Sequence, residues 1–392
     1  MRKISADFIF PISSEPIRNG IVTIDDNGTV LGINEASVSV DNEIEHYKGI
    51  ICPGFINTHC HLELSHMRGK LTERAGMTGF VKELLSIRPG FSQAEITKGI
   101  EDAEAEMIRN GIVAIGDISN DSSTFEQKAK GHLKYHTFLE VFDLNPSRAE
   151  ETFQKALSLK HELNTKLKLL SSIVPHAPYT VSEKLFALIK EEALKNDSIL
   201  SIHNQESLGE SELFISGSGA LYESFTKMGI DMRHFPVSGF NSLRTTLPKL
   251  PLSQKLLLVH NTFTSKEDIQ WAEELSVSHL YWCTCPNANL YIENKLPDYN
   301  AFIKENAKVT IGTDSLASNW SLSVLDELKT ITTHYPGISL QTLLTWATRN
   351  GAEFLSFDEL GTIEKGKKPG LNLLTNTKDV MITSTTEVVK LI

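Results

Sequence analysis

The sequence predicts an α/β protein: a closed (β/α)8 TIM barrel over residues 54–354, with a small β-sandwich domain built from both chain ends, residues 1–53 and 355–392. Three observations carry this expectation. Short apolar runs, often β-branched, alternate with longer stretches of helical character through the middle of the chain, as parallel strands buried on both faces do. The runs number eight, the count of a closed barrel. The two ends of the chain read differently, as short strands separated by turns rather than by helices.

The first strands are expected at 21–24 and 29–33, joined by the turn Asp25-Asp26-Asn27-Gly28, a hairpin signal between alternating apolar runs. The first barrel strand falls at 50–56. Seven more follow at 113–118, 136–142, 169–174, 198–203, 256–260, 279–283 and 308–312. Helices are expected between them at 93–110, 147–163, 182–195, 265–275 and 322–333. The tail returns to strand-like pieces at 361–363, 371–374, 380–383 and 388–391. A doubly wound open sheet is the alternative architecture. The chain has no internal repeat, no low-complexity tract and no glycine-rich phosphate loop.

A chain of 392 residues fits one large barrel with a satellite, or two to three smaller domains. The net charge of −11 argues against nucleic acid or an anionic membrane as a partner. No apolar run is long enough to span a bilayer. The start of the chain lacks a signal-peptide pattern, since Pro11 interrupts Phe8-Ile9-Phe10. A cytoplasmic protein with a small-molecule substrate is the expectation, and a homodimer stays open. Cys52, Cys60, Cys283 and Cys285 are too few for a disulfide framework. They read as buried free thiols.

The chemistry begins at Thr58-His59-Cys60-His61. In an extended strand, residues i and i+2 share a face, so His59 and His61 can hold one ion between them, and imidazole suits Zn2+ or Fe2+. Alone the pair fits a surface or core position equally well. Barrel enzymes draw their catalytic residues from the C-terminal ends of strands. Here those ends give His59, His61, Asp117, Glu140, His176, His203, His260 and Asp314. Glu206 lies three residues after His203, where a carboxylate could take a proton from water and pass it to a leaving group. A solvated glutamate at a helix start is the plain alternative. His260 could orient water or polarise a substrate atom. Asp314 could bind metal and accept a proton, or simply cap the next turn. His176 sits between Pro175 and Pro178, in a rigid loop suited to substrate contact. The fourth strand ends without the lysine that often bridges two metals, so a mononuclear site is expected.

Together these motifs resemble the amidohydrolase superfamily, in its mononuclear deaminase and chlorohydrolase branch. The resemblance runs over nearly the whole chain: Pro53-Gly54-Phe55-Ile56-Asn57-Thr58-His59-Cys60-His61, then His176, His203 with Glu206, His260, and Gly312-Thr313-Asp314. It implies one divalent ion, Zn2+ in the first place and Fe2+ in the second, held by His59, His61, His203 and Asp314. It makes Glu206 the proton shuttle, His260 a neighbour of water or substrate, and His176 a substrate contact. The tail departs from the pattern at Pro369-Gly370, where many members carry Ala-Asp. The segments Leu62-Glu63-Leu64-Ser65-His66-Met67-Arg68-Gly69 and Gly312–Asn319 are similar to aminodeoxyfutalosine deaminases within that branch. That similarity implies hydrolytic removal of the amino group from an adenine-type base, with Glu63 as a second substrate contact or else a helix-start carboxylate. Guanine or S-adenosylhomocysteine deamination, halide or amide hydrolysis, and a non-catalytic metal-binding barrel are the competing readings.

Overall fold

The computed structural model describes residues 1–34, 43–232, 235–275 and 279–392. The chain opens with β1 (Arg2–Ile9), β2 (Ile17–Arg18), β3 (Ile21–Ile24), β4 (Val30–Asn34) and β5 (Ile44–Pro53). The expected hairpin joins β3 to β4 in antiparallel register. Its turn closes because Asp25 Oδ1 accepts from the amides of Asn27 and Thr29, at 2.9 and 2.8 Å. Gly28 supplies the left-handed residue, with φ of 79°.

Two parallel sheets follow. The first holds β6 (Phe55–Cys60), β7 (Ile112–Ser119), β8 (Lys134–Val141) and β9 (Leu170–Pro175), in that order. The second holds β10 (Leu200–Asn204), β11 (Leu256–His260), β12 (Leu280–Thr284) and β13 (Val309–Ile311). Nearly every residue of these strands is buried, which is why the sequence reads as continuous apolar runs there. The sheets touch at both edges. His203 N donates to His176 O at 2.9 Å, and the amides of Thr313 and Asp314 both donate to His59 O at 3.0 Å. Helices Gln93–Arg109, Ala149–His161, Glu183–Asn196, Lys266–Leu275 and Val324–His334 lie between strands, as expected. The first of them starts on a capping box, with Ser92 Oγ accepting from Glu95 N and Glu95 Oε2 accepting from Ser92 N.

β14 (Leu371–Thr375) and β15 (Glu387–Lys390) bring the tail back to the first sheet, in the order β15-β14-β5-β1-β3-β4 with β2 on β1. One mixed sheet is thus shared by both chain ends. Among the described residues no helix is long and apolar enough to cross a membrane. All four cysteines are buried and unpaired, as the sequence suggested.

Several expectations need correction. The run 50–56 is not one strand. It divides at Gly54 into the end of β5 and the start of β6, which belong to different sheets. A Cβ at Gly54 would stand 2.3 Å from Val113 Cγ1 and 2.8 Å from Pro369 O, so only glycine fits the crossing. Residues 361–363 are not a strand; Ile363 is buried and tied by its amide to Pro11 O. Residues 380–383 fall beside a tight turn closed by a bridge between Lys378 and Met381. The helix expected at 147–163 ends in a π-helical turn, Glu162–Leu167. Helices Gly76–Ile87, Leu208–Ser216, Ala220–Lys227, Leu340–Ala347 and Arg349–Leu355 were not anticipated.

Candidate metal centre

The side chains that the sequence singles out come from the C-terminal ends of strands, as the parallel arrangement requires. His59 and His61 leave β6 on one face, with ring centroids 4.9 Å apart. His203 leaves β10, and its ring lies 4.9 Å from that of His59 and 5.5 Å from that of His61. His260 closes β11, 5.6 Å from His59. Asp314 follows β13, its Oδ1 3.6 Å from His59 Nε2 and 3.5 Å from His61 Nε2. His59, His61 and His203 each bring a donor atom within 4.8 Å of the others, and so do His59, His260 and Asp314. Neither nitrogen of His59 has a hydrogen-bond partner, nor does His260 Nε2, although all three are buried. Buried polar atoms are rarely left so, and one His59 nitrogen and His260 Nε2 lying close to the Asp314 carboxylate fit a cation.

The backbone pays for these positions with strain. His260 and Asp314 take φ of 72° and 56°, left-handed values that non-glycine residues avoid. Local bonds hold them there. Asn261 Nδ2 donates to Leu258 O at 2.8 Å and to Cys283 O at 2.9 Å, while Ser318 Oγ donates to Asp314 Oδ2 at 2.6 Å.

Burial sets the protonation states. It pushes His61 and His260 down to about 4 and holds His203 well below the usual histidine range. These three rings are therefore held toward the neutral form that metal ligation requires, whereas His59, facing the Asp314 carboxylate, is raised. Burial alone would raise Asp314, but the facing histidines hold it well below the usual carboxylate range. Glu206 goes the other way: burial, with Asp314 and Glu210 nearby, lifts it well above. Its Oε1 lies 3.4 Å from His260 Nε2. His260 Nδ1 is 2.9 Å from Asn289 Oδ1. An amide oxygen only accepts, so the proton sits on Nδ1 and the free lone pair of Nε2 faces Glu206.

The remaining sequence candidates divide. The His176 ring lies 4.8 Å from that of His203, with Nδ1 2.9 Å from Thr180 Oγ1. Glu63 is buried but turned aside: it accepts from Asn120 N at 2.8 Å and from Arg88 Nη2 at 3.3 Å, and burial raises it to about 8. Asp117 does not join the cluster. It makes a fully buried ion pair with Lys128 at 2.6 Å and accepts from Leu62 N at 2.9 Å, fastening the chain just after His61. Glu140 does reach the cluster, 3.4 Å from His203 Nδ1. Sequence reasoning missed Asn289 and Ser318. Each lies a few residues past a strand end, Asn289 in a helix beginning with proline, and short polar residues there read as ordinary caps.

The amidohydrolase family matches residues 50–391, and the chain belongs to it. Among curated relatives, the aminodeoxyfutalosine deaminase of a Nitratiruptor species is 29% identical over 375 residues, covering 89% of this chain and 88% of the relative. An adenosine deaminase of Helicobacter pylori is 28% identical over 329 residues, covering 83% of this chain and 78% of the relative. The crystal structure of Helicobacter pylori aminofutalosine deaminase in complex with methylthio-coformycin shares the fold. It has a TM-score of 0.81 at 23% identity, over 96% of this chain and 93% of that one.

Proposed function

We propose that this chain is a metal-dependent hydrolytic deaminase of an adenine-type base, acting on a modified nucleoside such as aminodeoxyfutalosine. The observation that carries the reading is the buried convergence of His59, His61, His203, His260, Glu206 and Asp314. Membership of the amidohydrolase family, and relatives named as deaminases of adenine nucleosides, support the substrate class. His59, His61, His203 and Asp314 would hold a single divalent ion, Zn2+ before Fe2+, since the set mixes imidazole with one carboxylate. When bound, the ion supplies Lewis acidity, which brings the pKa of water toward neutrality.

The chain's own residues would do the rest. Asp314, ionised, offers a carboxylate oxygen as proton acceptor. His260, with its Nδ1 proton given to Asn289, offers the Nε2 lone pair to orient the attacking water. Glu206 lies beside it, and burial raises its carboxyl well above the usual range, which favours a protonated start. It would donate that proton to the ring nitrogen as the amine-bearing carbon is attacked, take one back from water, and deliver it to the departing nitrogen. One water is consumed, the carbon–nitrogen bond breaks and ammonia leaves. His176 would contact the substrate, whereas Glu63, occupied by Asn120 and Arg88, would act on it only indirectly. The hydrogen bonds joining both edges of the two parallel sheets support a closed (β/α)8 barrel over 54–354. The sheet shared by both chain ends supports a separate β domain from 1–53 and 355–392. A small-molecule substrate, with neither nucleic acid nor membrane as partner, accords with the net charge of −11.

Ammonia release from aminodeoxyfutalosine, S-adenosylhomocysteine, adenosine, adenine and guanine tests this directly. The expected order places an adenine nucleoside first. Guanine exceeding every adenine nucleoside, or chloride release from a chlorinated triazine with a higher specificity constant, would overturn the substrate class. Full activity after the metal is stripped would overturn the mechanism.

A further inference from the structure

Glu140 closes the inner face of β8. Along that strand His136, Phe138 and Glu140 share one side by the two-residue period, and the His136 ring lies tilted against Phe138, with centroids 4.9 Å apart. The Glu140 side chain is nearly all buried, 3% exposed, yet its two oxygens differ. Oε2 accepts from Asn120 Nδ2 at 3.0 Å. Oε1 is buried and has no hydrogen-bond partner. The nearest donor, His203 Nδ1, is 3.4 Å away and already donates to His176 O at 2.8 Å. A carbonyl oxygen cannot donate, so Nδ1 carries the proton and gives it to the closer acceptor. Oε1 is left as an unmatched acceptor beside His176 and His203, whose donor atoms lie within 4.8 Å of a Glu140 oxygen.

A second cation bound by Glu140, His176 and His203 is disfavoured by that same bond. His203 has only Nε2 free for ligation, and Nε2 belongs to the set with His59 and His61. We propose instead that Glu140 is a substrate-contacting residue whose Oε1 accepts a hydrogen bond from a sugar hydroxyl, so that the site selects nucleosides carrying that hydroxyl. The proposal rests on the nucleoside reading above. Supplying the missing donor satisfies a buried acceptor, and a substrate lacking the hydroxyl leaves the acceptor unpaired, which is where discrimination is steepest.

The test compares kcat/KM for adenosine and 2′,3′-dideoxyadenosine in the wild type and in Glu140→Gln, with metal content measured on both proteins. In the variant Asn120 Nδ2 keeps the amide oxygen on its own side and turns the NH2 toward the site, replacing the acceptor by a donor. The wild type should prefer adenosine by about 10- to 100-fold. The variant should lose most of that preference through KM for adenosine, with dideoxyadenosine within about threefold of wild type and the metal retained. Equal losses on both nucleosides would make Glu140 a support for His203 and overturn the proposal. So would loss of the ion from the variant. A wild type indifferent to the hydroxyls overturns it without any variant, whether or not Glu140→Gln folds, and leaves deamination standing. A wild type that releases no ammonia from either nucleoside, or from aminodeoxyfutalosine, removes the nucleoside reading and this inference together.

Discussion

At the scale of single residues, the chemistry depends on which atom carries a proton. Glu206→Gln is expected to keep the fold and the ion but lower kcat by about 10²–10⁴-fold, because the nearly isosteric amide cannot shuttle a proton. Single-turnover ammonia release with elemental analysis of the same sample checks both halves. Asn289→Leu frees His260 to place its proton on either nitrogen, and a fall of about 10-fold or more in kcat with unchanged metal content is expected. An unchanged rate would show that His260 needs no tautomer lock. His59, His61, His203, His260 and Asp314 were legible in the sequence because each ends an apolar run. Asn289 was not, because a short amide at a helix start looks the same whether it caps the helix or fixes an imidazole. Glu63 was legible as a buried carboxylate only in hindsight, since nothing local announces that Arg88 and Asn120 engage it.

At the scale of elements, seven of the eight parallel strands were readable to within a few residues, because burial on both faces writes a continuous apolar run. The helices missed were short or built on mixed composition. Gly76–Ile87 begins and is interrupted by glycines, and Leu208–Ser216 leaves Leu208 and Ile215 exposed, which blurs the helical period. The division at Gly54 was invisible because apolar residues continue through it. Gly54→Ala should destabilise the protein by about 1–3 kcal/mol, the cost of forcing atoms into a packed interface, measured by urea denaturation. Lys128→Met tests the other fastening. It leaves Asp117 buried without its cation, and a loss of about 3–5 kcal/mol is expected. A loss below about 1 kcal/mol would mean that Asp117 simply takes up a proton in the variant.

At the scale of the molecule, buried histidines make folding sensitive to acid. Burial lowers His136 to about 3, against about 6.5 in an unfolded chain. Between those values the unfolded chain binds a proton that the folded chain refuses. This ring's contribution is therefore complete above about pH 6.5 and is lost as pH falls toward 3, at up to about 1.4 kcal/mol per unit. Glu210, raised by burial to about 7, acts in the opposite sense, losing stability as pH rises from its unfolded value. The informative measurement is thus the difference between wild type and His136→Gln: the variant's urea midpoint should fall less steeply between pH 6.5 and 5. The mixed sheet imposes a different constraint, one of timing. β5 leads directly into the strand bearing His59 and His61, and its register partners on one side are Leu371–Leu374. Those partners are synthesised long after β5. Until they arrive, Ile50 and Ile51 have an open edge able to pair with any other extended chain. The segment that carries the first metal ligands is therefore made early and protected late, and a nascent chain halted before residue 371 would be prone to aggregation rather than merely inactive.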